Sequence, residues 1–144
     1  MEVSATDIAR IPGRNIHVPR EDFAAVWREA ERRNEVLGSR GDSAWFNAGV
    51  CVTCRWLAAT AVRPPDGRSY LAPSPITRRT ARAYEELIVA ECYEAEKLSL
   101  RRPVPSWLQR RPGWVEGILA TLDWAWRRNG RPPIEVPRRA TVSG

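Results

Sequence analysis

The sequence predicts an all-α fold, a compact bundle of about four helices. Four segments carry apolar residues at helical spacing, and proline, glycine or capping residues bound them. No segment shows the alternating pattern of a half-buried strand. A chain of 144 residues suits one hydrophobic core. We therefore expect an irregular N-terminal arm at residues 1–18, a single helical domain at 19–130 and a Pro- and Arg-containing tail at 131–144.

The predicted helices can be justified in chain order. Pro19 suits the first turn of helix one, and Glu21 and Asp22 suit the positive end of its dipole. Helix two is apolar on nearly all sides, which is typical of a buried central helix. Thr77 is the candidate cap of helix three, and Pro112 opens helix four. The four helices are expected at 19–37, 43–62, 77–100 and 112–130, with a short turn at 106–111.

Two charged residues lie on otherwise apolar helix faces. Arg55 interrupts helix two, and Glu91 shares the apolar face of helix three. An ion pair between the two would satisfy both charges and fix the register of the helices, and this is the structural prediction. The competing hypothesis makes a buried Glu91 the centre of an enzyme of unknown class.

Candidate metal and cofactor sites are incomplete. Cys51 and Cys54 form a CxxC within a predicted helix, and the remaining candidates, Cys92 and His17, lie far away in the sequence. Structural zinc sites normally add a second close pair of ligands. No Walker loop, dinucleotide-binding glycine pattern, nucleophile elbow or HExxH motif is present. We therefore predict no metal, no cofactor and no catalytic residues.

The positive charge is concentrated near the C-terminus. The net charge is +6, and residues 101–144 contain nine arginines against three carboxylates, whereas the rest of the chain is balanced. Four tryptophans lie among the arginine pairs of this segment, and both residue types are enriched at interface hot spots and suit nucleic acid. The candidate anion-binding residues are Arg101, Arg102, Arg110, Arg111, Arg127 and Arg131.

One face of helix four is the candidate partner-binding surface. The core stripe consists of Val115, Ile118, Leu119, Leu122 and Trp126. Trp124 lies on the opposite face, and either another element of this chain or a partner must cover it. The candidate partner-binding residues on that face are Gly117, Ala120, Trp124 and Arg128.

These features together favour a small non-enzymatic interaction protein, an adaptor or regulatory subunit. Its partner would be another protein or a second copy of the chain, bound through a Trp/Arg surface near the C-terminus. The alternative is a nucleic-acid-binding regulator that uses the basic C-terminal segment. The polar, acidic start and the lack of a long uncharged apolar run predict a cytoplasmic protein without a membrane partner.

Overall fold

The computed structural model describes residues 1–37, 42–62, 64 and 67–137. A short 3-10 turn at Gly13–Asn15 precedes the first long helix, and two short strands pair as an antiparallel hairpin. Residues 138–144 of the predicted tail, including the arginine pair at 138 and 139, lie outside the described residues. The elements are α1 Ala5–Ala9, α2 Arg20–Leu37, α3 Asp42–Leu57, β1 Ala61–Val62, β2 Tyr70–Leu71, α4 Glu85–Leu100, α5 Ser106–Gln109 and α6 Trp114–Ala125.

The long helices α2, α3, α4 and α6 pack into one compact bundle, which confirms the all-α prediction. Helix α3 packs against both α2 and α6, and α6 also packs against α4. Phe23, Trp27 and Trp56 supply the largest aromatic side chains of the core, each at most 1% exposed. Each such ring removes about 150–250 Å² of surface from water, more than an aliphatic side chain does. Within the described residues, no helix is long and apolar enough to cross a membrane.

Helices α3 and α6 approach each other closely because both carry glycine where they cross. A Cβ atom added at Gly117 would lie 2.1 Å from the carbonyl oxygen of Phe46, and one added at Gly49 would lie 2.3 Å from that of Trp114. Both glycine carbonyls accept hydrogen bonds from the hydroxyl group four residues ahead, Thr53 at 2.7 Å and Thr121 at 2.8 Å. Backbone-to-backbone contact therefore sets the distance between the two helices.

The N-terminal arm contains more structure than its irregular sequence predicts. Ser4 and Asp7 form a capping box that starts α1. Val3, Ile11 and Ile16 are buried in the main core. Because the arm supplies apolar side chains to the bundle, it is a packed part of the fold.

The start of predicted helix three is wrong, since α4 begins at Glu85 and not at Thr77. The backbone N–H groups of Ile76 and Thr77 donate to the Glu91 carboxylate, the latter at 3.2 Å, and Arg78 has a positive φ of 58°. Ser74 adds a further hydrogen bond, accepting from the N–H of Arg79 at 2.8 Å. A turn held by Glu91 thus replaces the expected first two turns of the helix.

Helices two and four also end earlier than predicted. Helix α3 stops at Leu57, and Ala59 then adopts φ 54° while the N–H of Thr60 bonds to the carbonyl of Arg55. Arg128, which follows the end of α6, likewise has a positive φ of 53°. Left-handed residues of this kind close a helix C-terminus and turn the chain away. After Ala59 the chain enters the β1–β2 hairpin, and the expectation that no strand is present is therefore wrong.

The described part of the tail packs against the bundle. Ile134 is 8% exposed, and the Arg33 guanidinium donates to the carbonyl of Glu135 at 2.6 Å. Residues of the segment 131–137 line a groove together with Trp124 and residues of α2. These seven residues of the predicted tail are therefore a packed part of the fold.

Candidate functional site

The predicted partner-binding face of α6 is covered by this chain itself. Trp124 is only 6% exposed, and its ring stacks on Phe23 of α2 with centroids 6.3 Å apart and an interplanar angle of 6°. Gly117 is buried against Phe46. Ala120 is half-buried, and only Arg128 is exposed. Of the two alternatives for this face, cover by another element of this chain therefore applies at Gly117 and Trp124, which are not available to a partner as the partner-binding residues predicted from the sequence.

The two tryptophans near the end of α6 have exchanged their expected environments. Trp126, assigned to the core from the sequence, is half-buried and packs against the exposed His17, with ring centroids 4.4 Å apart. The N–H of His17 donates to the carbonyl of Ala125 at 2.7 Å, and its Nδ1 bonds to the carbonyl of Trp126. The arm thus caps the C-terminus of α6 and lies against the indole of Trp126.

This exchange predicts which tryptophan matters more for stability. Trp124→Ala should lower the free energy of unfolding by about 3 kcal/mol, because it removes a buried ring that stacks on Phe23. Trp126→Ala should cost about 1 kcal/mol, since much of that ring is already in water. Denaturant melts of both variants measure the difference. A larger loss for Trp126→Ala would contradict the packing described here.

The predicted Glu91–Arg55 ion pair does not form. Arg55 instead makes a two-pronged pair with Glu31 of α2, with Nε–Oε2 at 2.7 Å and Nη2–Oε1 at 2.6 Å. The pairing with Glu31 raises the pKa of the Arg55 guanidinium above its usual value. The indole N–H of Trp27 also donates to Glu31 at 3.1 Å. The sequence correctly indicated that Arg55 needs a partner but identified the wrong carboxylate.

Glu91 is buried, as its helix face predicts, but it has a structural role. It is 1% exposed and accepts from the N–H groups of Ile76 and Thr77. The hydroxyl group of Thr77 donates to its second oxygen at 2.9 Å. Both carboxylate oxygens are therefore occupied in holding the turn before α4. This arrangement favours an anchor over the catalytic centre that was the competing hypothesis.

The three cysteines are buried thiols. Burial raises the pKa of Cys51 to about 12 and that of Cys92 to about 11, and it raises the pKa of Cys54 well above its usual value. A thiol of this kind is a weak nucleophile and a poor metal ligand at neutral pH, because both roles require the thiolate. Within residues 1–37, 42–62, 64 and 67–137, no group of three or more ligand side chains could hold a metal ion.

Three tryptophans, each from a different helix, and one arginine from the turn between α5 and α6 form a surface cluster. The Arg111 guanidinium carbon lies 5.4 Å from the ring centroid of Trp45, 5.8 Å from that of Trp107 and 5.2 Å from that of Trp114. Trp107 and Trp114 meet edge to face, with centroids 6.1 Å apart and an angle of 76°. A cation held by three rings is stabilised by each of their π faces. We call Trp45, Trp107, Arg111 and Trp114 the Arg111 cluster.

Local sequence features place the members of this cluster. Pro105 caps the short helix α5, which carries Trp107, and the N–H of Arg111 then bonds to the carbonyl of Leu108 at 2.9 Å. Gly113 adopts φ 91° directly before α6, so the chain reverses and Trp114 starts the helix. A side chain at Gly113 would be strained by this φ value. The turn therefore places Trp107 and Trp114 around one guanidinium.

The Arg111 cluster reaches solvent through Trp107, which is 44% exposed. Trp45 and Arg111 are half-buried, whereas Trp114 is 7% exposed and belongs to the core. Beside the cluster, a cleft of about 210 Å³ separates the end of α4 from the start of α6, and Arg102 and Arg111 line it. Sequence reasoning located the Trp/Arg segment but not Trp45, which lies more than 60 positions earlier in the chain.

The six candidate anion-binding arginines do not form one patch. Arg101, Arg102, Arg110 and Arg111 lie in the segment between α4 and α6, and no ion pair of theirs occurs in the part of the chain that the structure describes.

The other two arginines of that set lie elsewhere. Arg127 follows the far end of α6, which at 12 residues is roughly 18 Å long, and it pairs with Glu96 and Asp123. Arg131 lies in the tail segment that lines a groove beside α2.

Comparison of the chain with protein-family models, with curated proteins and with solved structures finds no match.

Proposed function

We propose that this protein is a non-enzymatic interaction protein that binds an acidic surface of a protein partner through the Arg111 cluster. The observation that carries the proposal is an exposed tryptophan, Trp107, held in place by a guanidinium that contacts three indole rings. Tryptophan and arginine are the side chains that most often dominate binding energy at protein interfaces. Their fixed positions lower the conformational entropy lost when a partner binds.

Charge around the cluster indicates the chemistry of the partner. Arg102 lines the same cleft as Arg111, Arg110 directly precedes Arg111 in the chain, and both are exposed, whereas the acidic side chain in the lining of that cleft is Glu116. An exposed arginine forms two parallel hydrogen bonds with a carboxylate. A partner that presents carboxylates around an apolar contact for Trp107 therefore fits this surface best.

Two observations favour a protein over nucleic acid as the partner. Extended phosphate backbones bind along continuous basic tracks, but the arginines of this segment are divided between the two ends of α6 and the tail. In addition, Arg111 lies over the ring of Trp107, so one π face is not free to stack on a base. Binding to nucleic acid, the alternative function, is an outcome that the experiment below can reveal.

The test compares Trp107→Ala with a matched control. Tyr70→Ala removes an aromatic ring that is 52% exposed on β2, away from the cluster. Proteins captured from a host lysate by the unmodified chain should survive nuclease treatment, and Trp107→Ala should weaken purified partner binding about 30-fold, equivalent to about 2 kcal/mol. Tyr70→Ala should leave the affinity unchanged.

Three outcomes would overturn the proposal. The first is a partner that binds Trp107→Ala and Tyr70→Ala equally well, because the interface would then lie elsewhere. The second is capture that nuclease abolishes, together with direct, salt-sensitive binding of a duplex DNA or RNA probe, which would establish the nucleic-acid alternative. The third is the absence of any protein that distinguishes the unmodified chain from Trp107→Ala.

A further inference from the structure

The cleft between the end of α4 and the start of α6 holds two guanidinium groups with unused hydrogen-bond donors. Within the described residues, the Arg111 side chain donates no hydrogen bond and forms no ion pair, although three tryptophan rings surround it. Arg102 donates through Nη1 to the carbonyls of Ser99 at 3.3 Å and Arg101 at 2.8 Å, and its Nε and Nη2 make no hydrogen bond to that part of the chain. Because a guanidinium carries five N–H donors, both groups retain donors for an anion.

The fold holds both guanidinium groups in place. The ring centroids around Arg111 lie between 5.2 and 5.8 Å from its guanidinium carbon, and two backbone carbonyls fix Arg102. A cation–π contact attracts the charge and does not require the N–H groups as donors. Since side chains that are already ordered lose less conformational entropy on binding, the remaining donors are ready to bind a ligand.

The remainder of the cleft lining is largely apolar. Its apolar residues are Leu98, Val104, Leu108, Pro112 and Val115. The cavity volume is about 210 Å³, which is below the range of about 300–1,000 Å³ typical of pockets that enclose a whole drug-sized ligand. The cleft therefore fits a group of about the size of one amino-acid residue, with an apolar part beside an anionic end.

The charge of the lining limits the charge of the ligand. Glu116 also lines the cleft, is exposed and forms no ion pair within the described part of the chain. Two arginines and one glutamate give the lining a net charge of +1. A single carboxylate balances this charge and matches a guanidinium through two parallel hydrogen bonds, whereas Glu116 would repel further negative charge.

We propose that this cleft is a subsite that receives one carboxylate together with the apolar group next to it. Such a pair occurs at the free end of a peptide chain and at an acidic residue beside an apolar one. Arg102 and Arg111 donate to the carboxylate, and the apolar walls enclose its neighbour. The inference rests on the proposed function, because it names the group that the partner inserts beside Trp107.

A small probe tests the subsite without the partner. N-acetylleucine joins a carboxylate to one apolar side chain, and N-acetylleucinamide is its uncharged match. A ligand this small should bind with a dissociation constant on the order of 1 mM. The amide should bind at least about tenfold more weakly, because it lacks the charge-assisted hydrogen bonds. Titrations followed by NMR through the indole and arginine N–H signals measure both affinities.

Three variants at exposed positions locate the bound probe. Arg102→Gln should weaken the binding of N-acetylleucine about tenfold, whereas Glu116→Gln should strengthen it about threefold, since a repulsive charge is removed. Arg82→Gln is the matched control, because it changes an exposed arginine before the start of α4, and the helix that separates it from the cleft is roughly 24 Å long. Its affinity should equal that of the unmodified chain. Thermal melts confirm that each variant remains folded.

A second pair of probes distinguishes the two sources of the carboxylate. The acetylated dipeptide amide of leucine and glutamate carries its carboxylate on a side chain, and the corresponding compound of leucine and glutamine is its uncharged match. N-acetylleucine carries its carboxylate at the chain end. The acid that binds more tightly identifies the source.

Equal binding of the acid and its amide in both probe pairs would overturn the inference, because the carboxylate would then contribute nothing. So would the absence of binding by either acid at about ten times the expected dissociation constant, an Arg102→Gln loss no larger than that of Arg82→Gln, or weaker binding by Glu116→Gln. Failure of the proposed function is distinguishable. If the acids bind as expected but no protein distinguishes Trp107→Ala, the carboxylate site stands alone; if a partner depends on Trp107 but neither acid binds, only the subsite is wrong.

Discussion

Glu31→Ala is expected to lower the free energy of unfolding by about 4 kcal/mol. The Glu31 side chain is 2% exposed and receives two hydrogen bonds from Arg55 and one from the indole of Trp27. Removing one member of a buried ion pair costs about 3–5 kcal/mol, since the other charge remains desolvated without a partner. Arg55 is 22% exposed and can recruit some water, which lowers this cost, but the stranded Trp27 N–H adds about 1 kcal/mol.

Two further variants distinguish the loss of a buried partner from a general effect of losing charge. Glu35→Ala removes a carboxylate from the same helix at a side chain that is 62% exposed, so it should cost less than about 0.5 kcal/mol. The double variant Glu31→Leu/Arg55→Met should recover most of the lost stability, because neither charge is then buried. Chemical denaturation measures all three. A Glu31→Ala loss as small as that of Glu35→Ala would mean that the pair does not stabilise the fold.

The ion pair shows where sequence reasoning succeeded and where it failed. Arg55 was correctly identified as a charge that needs a partner, because it interrupts an apolar helix. Glu91 was chosen because it falls on an apolar helix face, but Glu31 lies four residues after the buried Trp27 and therefore shares the face of Trp27. The periodic signal for Glu31 was present, yet the choice between two buried carboxylates depends on which helices pack together, and periodicity does not determine that.

The fold class followed from local patterns, whereas several helix ends depended on tertiary contacts. Helix α2 was predicted within one residue because proline, acidic residues and the apolar stripe all indicate the same bounds. The false start at Thr77 has a different cause. Its backbone N–H group bonds to Glu91, a residue 14 positions later, and such a competing acceptor is invisible to a propensity argument.

The sequence and the structure select different tryptophans of the C-terminal segment as the anchor of the candidate site. The sequence pattern assigned one core face to helix four and placed Trp124 on the opposite face. In the structure α6 packs against α3 and α4, and Trp124 packs on Phe23 of α2. Because other helices pack on several sides of α6, most of its residues are buried, and Trp124 is among them although it lies outside the predicted apolar stripe. The exposed tryptophan is Trp107, which lies on a helix of only four residues. A segment that short shows no hydrophobic periodicity from which its buried face could be predicted.

Gly117→Ala is expected to destabilise the protein by about 4 kcal/mol, even though alanine is the better helix former. Alanine would gain about 1 kcal/mol from helix propensity alone. The added Cβ atom, however, would lie 2.1 Å from the carbonyl oxygen of Phe46 and 3.0 Å from its carbonyl carbon. Both atoms belong to the backbone of α3, so no side-chain rotation relieves the overlap and the two helices must separate. Forced repacking of this kind has costs at or above the upper end of the 1–3 kcal/mol typical for overpacked cores.

The second glycine of the crossing provides a test of the same mechanism. Gly49→Ala would place a Cβ atom 2.3 Å from the carbonyl oxygen of Trp114, so it should also destabilise strongly. The two changes should be less than additive, because helices separated by the first substitution already leave room for the second. Gly13→Ala is the control, since its Cβ atom would meet only Arg20 Nη2, at 3.7 Å, and stability should change by less than about 0.5 kcal/mol. Denaturant melts of the two single variants and of the double variant measure the free energy of unfolding of each. Additive losses would show that the two glycines do not act through one helix–helix distance.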